Sequence, residues 1–354
     1  MKRDIKSMLF SELAEFFEST GEPGYRTKQV FSALHKGVTA FSDMKNLSLS
    51  LREILDSKFF ISSADLLEKQ VSETDNTEKY LWRVQDDDAV ECVLMEYEHG
   101  VSVCISTQVG CRMGCIFCAS SLEGLKRNLT ASEMLDQVIF TQLSFGRRIS
   151  NVVLMGIGEP LDNFDNVMRF IKLINDPNGI KIGARHITLS TCGIIESIDK
   201  LLDYDVQLTL AISLHAPDDE TRTHLVPANG KYGVKELINA GERYFKKTGR
   251  RVTYEYAMID GVNDSKEHAM QLSLLLKGKA SHLNLITLSD VKERGFNAST
   301  AKSVSKFTEI LKKNGMNFTI RRSLGADIEA SCGQLRRRIL RSENGNSYGV
   351  IRNN

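Results

Sequence analysis

Apolar residues change their spacing twice along the chain. In the first stretch they recur every three or four positions, which predicts helices over 6–17, 25–36 and 48–57, with a turn at 21–24 between the first two. Over 66–98 the spacing shortens to two, most plainly in KYLWRV and VECVLMEY, and short strands are expected there. A regular alternation then begins. Strand-like apolar runs fall at 101–107, 151–157, 186–190, 207–213, 251–258 and 283–288, and helical patterns lie between and after them at 131–145, 164–175, 194–203, 233–247, 266–277 and 299–313. A last strand, NFTIRR, covers 317–322. Strands alternating with helices imply a parallel sheet with helices outside. Six such units are too few to close an eight-stranded barrel. The expected fold is therefore α/β, an open partial (β/α)6 barrel over 97–330. A helical accessory domain (1–65) and a short β linker (66–96) precede it, and a tail (331–354) follows.

In parallel α/β architectures the chemistry gathers at the carboxyl ends of the strands. Four of these ends carry polar or glycine-bearing segments. GCRMGCIFCAS follows the first, Gly156-Ile157-Gly158-Glu159-Pro160 the second, Ser190-Thr191-Cys192-Gly193 the third, and Ser213-Leu214-His215 closes the fourth. Singly, each reads as a structural turn. Together, on one rim, they make a binding site.

The cysteine run is the most specific of the four. Cys111, Cys115 and Cys118 stand in C-x3-C-x2-C spacing, and no fourth cysteine follows at ligand distance. A cubane iron–sulfur cluster has four irons, so three local thiolates leave one iron open to a small molecule. Structural zinc needs four nitrogen or sulfur ligands, and the nearest candidates, His99 and Cys104, lie upstream at no usual zinc spacing. Seven cysteines in a chain of 354 residues do not make a disulfide framework. Gly110 and Gly114 permit a tight loop that brings backbone N–H groups to an anionic cluster. Cys92 and Cys192 read as small buried hydrophobes.

Composition narrows the setting. An apolar fraction of 42% supports a large core, and five prolines with no low-complexity run predict an ordered chain. Glu12 and Glu15 interrupt the N-terminal apolar stretch, which argues against a signal peptide. No run of eighteen apolar residues is present, so no membrane span is expected. A reducing, cytoplasmic location suits an oxygen-sensitive cluster. The net charge is only +1, yet Arg321, Arg322, Arg336, Arg337, Arg338 and Arg341 crowd one end. They read either as a solvated tail or as a face for nucleic acid. Gly24-Tyr25-Arg26-Thr27-Lys28-Gln29 has the same two readings.

These residues resemble a known family. A C-x3-C-x2-C run after a first strand, with glycine and glutamate at the second strand end, is similar to the radical S-adenosylmethionine enzymes. VCISTQVGCRMGCIFCAS, GLKRNLTASE, LMGIGEPLDNFDNV, ARHITLSTCGI, AISLHAP, GVNDSKEHA and ASCGQLRRR resemble the RlmN-type 23S rRNA adenine methyltransferases and the related Cfr-type enzymes over nearly the whole chain. The resemblance implies a [4Fe–4S] cluster on Cys111, Cys115 and Cys118, whose open iron binds S-adenosylmethionine, with two molecules of that cofactor used per turnover. It implies cofactor contacts at Gly158, Glu159, Ser190, Ser213, Leu214 and His215; for His215 a satisfied strand-end histidine is the structural alternative. It gives Cys332 the role of carrying a methyl group as S-methylcysteine. Cys104 then resolves the RNA-linked intermediate through a transient Cys104–Cys332 disulfide, and Glu91 accepts the ring proton. The implied partners are 23S rRNA, tRNA and an electron donor such as flavodoxin or ferredoxin, with the chain a monomer.

One position departs from the pattern. The family reads NLIPxN after the last barrel strand, its Asn touching the cofactor; here Thr287 replaces the Pro and Ser289 the Asn, with Asp290 adjacent. Serine keeps a donor and an acceptor but is shorter. Val109 before Gly110-Cys111 matches the RlmN type and favours carbon 2 of adenine over carbon 8. A non-catalytic iron–sulfur RNA-binding or redox-sensing paralogue is the reading from another class; retention of Glu91, Cys104 and Cys332 together speaks against it.

Overall fold

The structure, a computed structural model, describes residues 2–98, 100–288, 295–321 and 324–328. Ser289, Asp290, Cys332, His99, Arg322 and the C-terminal arginines lie outside the described residues.

The helices of the first segment form where the apolar spacing predicts them. After a short strand β1 (Arg3–Asp4) come α1 (Phe10–Ser19), α2 (Tyr25–Leu34) and α3 (Leu49–Lys58), and β2 (Phe59–Phe60) returns to pair in parallel with β1. The helices turn Leu13, Phe17, Val30, Phe31, Leu34, Leu51 and Leu55 inward, all essentially inaccessible. These side chains do not form a separate core. They join one continuous apolar cluster with Leu135, Ile139, Phe170 and the strand residues behind them. Polar contacts seal the junction. The Lys6 ammonium, fully buried, donates to Asp136 Oδ1 at 2.6 Å and to the Ser62 carbonyl at 2.5 Å, while Ser62 Oγ donates to Asp136 Oδ2 at 3.0 Å. Burial pushes the Asp136 carboxyl up to about 7, with Lys6 opposing the rise. Breaking a buried pair from one side strands a charge. Lys6→Met is expected to lower unfolding free energy by about 3–5 kcal/mol in urea titration, and Lys6→Met with Asp136→Leu to recover most of it.

Next come β3 (Asp65–Val71), β4 (Glu78–Arg83), β5 (Ala89–Tyr97) and β6 (Gly100–Cys104), an antiparallel meander. They are no loose linker, because β6 is both the last strand of the meander and the first of the parallel series. That series runs β6, β9 (Asn151–Leu154), β10 (Ile187–Thr191), β11 (Thr209–Ser213), β12 (Val252–Met258), β13 (Ser281–Thr287) and β14 (Phe318–Arg321). Among the described residues the result is one ten-stranded sheet, β14-β13-β12-β11-β10-β9-β6-β5-β4-β3, open at both ends as a partial barrel. Its outermost strand β3 carries a register shift between Leu66 and Glu68.

Crossover helices cover one face: α4 (Ala131–Phe145), α5 (Phe164–Asn175), α6 (Ile195–Lys200), α8 (Val234–Thr248), α9 (Lys266–Leu276) and α10 (Ala301–Lys313), with α7 (Asp219–Leu225) an additional short helix ahead of α8. The start of α4 is written in NLTASE. Thr130 Oγ1 accepts the Glu133 N–H, and the Thr130 N–H donates to the Glu133 carboxylate, a capping box. The strands send Val152, Leu154, Leu189, Leu210, Ile212, Tyr254 and Leu285 into this covered face. Alternate residues line the inner face, and there the chain places its polar groups.

Candidate functional site

The cysteine run occupies the loop of a hairpin between β7 (Gln108–Gly110) and β8 (Leu125–Asn128). Gly110 has φ +80°, and a Cβ there would fall 1.9 Å from the Gly124 carbonyl oxygen, so the crossing of the two strands requires glycine. The Cys111 N–H donates to that same oxygen at 2.9 Å. Ser121 Oγ donates to the carbonyls of Cys115 and Cys118, and the Ile116 N–H reaches the Leu225 carbonyl at the end of α7. The loop is thus pinned at its base and its crown. Burial pushes the Cys111 thiol up to about 12, and the neighbouring Cys118 adds to the rise; Cys115 is raised by burial and then by Cys118 and Cys111. Burial that holds the Cys111 and Cys115 thiols protonated suits a ligand that brings its own positive charge. Among the described residues no three His, Cys, Asp or Glu side chains converge on one ion. Separate thiolates, one per iron, are what a cluster requires.

The adjoining strand ends close around this loop. Gly158 has φ +110°, and a Cβ would lie 2.9 Å from the Gln108 backbone nitrogen; at Gly156 it would lie 2.6 Å from the Ile105 carbonyl. The two glycines let the β9 end lie directly on the strand that feeds the cysteine loop. Glu159 follows, 3% exposed, its Oε1 accepting the Leu161 N–H at 3.0 Å and its Oε2 the Cys192 N–H at 2.7 Å. Burial raises its carboxyl above the ordinary value while these N–H groups hold it down. The Thr191 and Cys192 side chains also hydrogen-bond to it, so the carboxylate is held in a fixed orientation.

Ser190 and Ser213 both fall on the inner face, half-buried, through the registers Ser190↔Ala211 and Ser213↔Glu255. Leu214 differs: its side chain lies fully in the helix-covered core, its N–H donates to the Glu255 carbonyl and its carbonyl accepts from Arg222. The Ala216 N–H takes that carbonyl's other lone pair at 2.8 Å, so both acceptor positions of the Leu214 carbonyl are engaged within the protein. His215 adopts φ +58°, rare for a side-chain-bearing residue. Its Nδ1 accepts the Ala257 N–H at 3.0 Å, so the neutral ring carries hydrogen on Nε2 and offers a donor. Burial pulls its pKa down to about 3, and the ring meets Phe117 of the cysteine loop edge-on.

Across the sheet, Glu91, Val93 and Cys104 share the inner face, Val93 standing opposite Cys104. Glu91 is 2% exposed and forms a 3.0 Å ion pair with the inaccessible Lys79 of β4, which itself stands opposite Val93. Carboxylate, ammonium and thiol are therefore aligned over three neighbouring strands. Cys92, on the opposite face, is fully buried against Thr141, as expected of a small hydrophobe.

Four participants escape the sequence pattern. Lys79, in KYLWRV, and Glu255 with Asn284, joined at 2.9 Å on the inner face, lie in runs read only as strands. Arg222, 2% exposed, donates to the carbonyls of Leu214, Ser213 and Cys192 and to Asn229 Oδ1, tying the ends of β10 and β11 together beside Cys115. Cys192 is buried as expected, yet its N–H holds Glu159 and it packs in one cluster with Cys115. Away from this site, Tyr25, Lys28, Gln29, Lys36 and Asn46 line a shallow open groove on α2, with the Arg26 guanidinium 5.0 Å over the Tyr25 ring.

Comparison with known proteins agrees with this arrangement. Residues 105–273 match the family model for the radical SAM superfamily, and residues 4–61 that for the ribosomal RNA large subunit methyltransferase N-terminal domain. "Probable dual-specificity RNA methyltransferase RlmN" of Clostridium novyi is 47% identical over 341 residues, covering 96% of this chain and 99% of that protein. The protein of the same name from Lachnoclostridium phytofermentans is 50% identical over 337 residues, 95% of each. A crystal structure of a radical SAM methyltransferase from Sphaerobacter thermophilus superposes with a TM-score of 0.88 at 40% identity, covering 94% of this chain and 98% of that one.

Proposed function

The chain belongs to the RlmN family of radical S-adenosylmethionine RNA methyltransferases, and on that premise we propose that it methylates carbon 2 of an adenosine in the peptidyl-transferase region of 23S rRNA, and adenosine 37 of some tRNAs. The observation that carries this reading is the shared inner face of Glu91 and Cys104, the latter ending the strand β6 that leads within four residues into the hairpin bearing the three thiols. Cys111, Cys115 and Cys118 would hold a [4Fe–4S] cluster, which, reduced by a flavodoxin or ferredoxin, would supply the one electron needed for radical cleavage of S-adenosylmethionine.

The protein's own groups do the rest. Gly158, Glu159, Ser190, Ser213, Leu214, His215 and Ser289 orient the cofactor. Glu159 does so as a fixed carboxylate facing an ammonium. The ring carbon is electron-poor and will not attack a sulfonium methyl, so a cysteine has to carry the methyl group. Cys332 would take it from a first S-adenosylmethionine as a thioether, with loss of the thiol proton, give up a hydrogen atom from that methyl to the 5′-deoxyadenosyl fragment of a second, and become bonded through the methylene carbon to the adenine, the one surplus electron of the adduct returning to the cluster. Glu91 removes the ring proton. Cys104 attacks the thioether sulfur, frees the product and ends in a disulfide with Cys332. The groove at Tyr25 and Lys28 and the C-terminal arginines grip the RNA backbone while the target base is unstacked into the barrel mouth. The described residues contain no helix long and apolar enough to cross a membrane, and the proposed location is the cytoplasm, with the chain a monomer.

The test is anaerobic incubation with S-adenosylmethionine, reductant and a 23S rRNA fragment, then nuclease digestion and chromatography against 2-methyl- and 8-methyladenosine. The 2-methyl product is expected. The 8-methyl product would move the reaction to the other carbon, and absence of both, with no 5′-deoxyadenosine, would sink the catalytic reading. Cys104→Ala is expected to stall with RNA covalently attached, visible as a nuclease-sensitive band shift on a denaturing gel.

A further inference from the structure

A short turn joins β3 to β4, far from the cysteine loop in sequence and remote from any family motif. It is strongly preorganised. Ser72 Oγ contacts Thr74 Oγ1 at 2.9 Å, the Thr77 N–H donates to Asp75 Oδ1 at 3.0 Å, and Asn76 takes the left-handed conformation with φ +57°. Residues 324–328, some 250 positions later, dock on it. Asp327 Oδ1 accepts from Ser72 Oγ at 2.7 Å and from Thr74 Oγ1 at 3.4 Å, and its Oδ2 accepts the Glu73 N–H at 2.9 Å. The Gly325 N–H donates to Asp75 Oδ2 at 2.8 Å. Both members are fitted to each other: the Ser72 hydroxyl, with the Glu73 N–H, holds the Asp327 carboxyl below its ordinary value.

Two facts give this contact a purpose beyond packing. Leu324, one residue before the turn-bound segment, packs against Val93, Met95 and Cys104 on the inner face. Cys332 follows Ile328 by four residues, at most about 14 Å of extended chain. The segment that bears Cys332 therefore leaves from a point fixed on β3–β4, next to the apolar patch around Cys104. A charge-assisted contact made at two positions restricts the volume that a tethered thiol explores, which raises its concentration at a nearby partner.

We propose that the β3–β4 turn is a docking clamp for the Cys332-bearing segment, and that Asp327 is a positioning residue which sets the effective concentration of the Cys332 thiol at Cys104. The inference rests on the pairing of these two cysteines proposed above.

The test measures the pair directly, without turnover. The full chain with its cluster in place is equilibrated anaerobically in glutathione buffers of graded ratio. Two thiols are oxidised to the Cys104–Cys332 disulfide while one glutathione disulfide is reduced to two thiols, so the disulfide fraction, read by peptide mass spectrometry, gives the effective concentration. Asp327 is exposed, so Asp327→Ala leaves the core intact. It is expected to lower the effective concentration by about tenfold or more. Ser72→Ala breaks the clamp from the other side and should lower it in the same direction, and the double variant should fall no further than the worse single one. A wild-type value in Asp327→Ala overturns the clamp while leaving the cysteine pairing intact. Absence of any Cys104–Cys332 disulfide in the wild type overturns the pairing, and this inference with it.

Discussion

Replacing Arg222 by methionine is expected to destabilise the protein on the order of 4 kcal/mol and to weaken S-adenosylmethionine binding at least about tenfold. The guanidinium is inaccessible and meets four acceptors: the carbonyls of Cys192, Ser213 and Leu214 and the side-chain oxygen of Asn229. Methionine fills most of the volume but donates nothing, and each abandoned buried oxygen costs about 1–3 kcal/mol. The strand ends so released are those that hold the Cys192 N–H against Glu159 and present Ser213. Stability and cofactor affinity should therefore fall together. Arg222→Lys keeps a cation but supplies one small head in place of a rigid fork, and should recover less than half of either. Urea titration and equilibrium dialysis measure the two quantities. Unfolding free energy within about 1 kcal/mol of wild type would show that the four bonds are dispensable.

The second large effect is expected at Lys79. Lys79→Met removes the 3.0 Å counter-ion of Glu91 in a site where both side chains are almost wholly inaccessible. Truncating one partner of such a pair costs about 3–5 kcal/mol, whereas replacing both by apolar groups of similar volume is often nearly neutral. Lys79→Met with Glu91→Leu should therefore be more stable than Lys79→Met alone, by about 2 kcal/mol or more, and the cycle of single and double variants reads the coupling. Activity should sort differently. Glu91→Gln keeps the shape and removes the proposed base, so on the proposed mechanism Cys332 should still be methylated while RNA-linked protein accumulates. A double variant that regains stability yet stays unable to release product would separate the pair's role in folding from Glu91's role as a base. Release at the wild-type rate in Glu91→Gln would remove Glu91 from the mechanism.

The barrel was legible because its period is regular. Each parallel strand from β6 to β14 and each long crossover helix lies within a few residues of the apolar run that predicts it. The C-x3-C-x2-C run stood out for a different reason: its pattern lies in local spacing. What escaped depends on long-range partners. The β7–β8 hairpin has strands of three and four residues, too short to show alternation. Helix α7, DETRTHL, has one large apolar residue and so no periodicity, yet it positions Arg222. The β linker looked separate because the pairing that joins β5 to β6, and β6 to β9, is not written in any single segment. Parallel sheets are commonly apolar on both faces. Here Ser190, Ser213 and Glu255 interrupt the inner face of the parallel strands, as Glu91 does that of the antiparallel β5, and these breaks acquire meaning only once that face is known.

An open sheet also has borders. Among the described residues β3 pairs only with β4, and its outer side is a row of backbone donors and acceptors that another chain could extend. Leu66 and Val71 are about half exposed there, which would invite such growth. The register shift between Leu66 and Glu68 bends this border, and Asp65, Glu68 and Lys69 charge it. The same irregular strand that disturbs the meander's pairing is thus a guard against aggregation, and straightening it with apolar substitutions would trade a tidier sheet for a stickier protein.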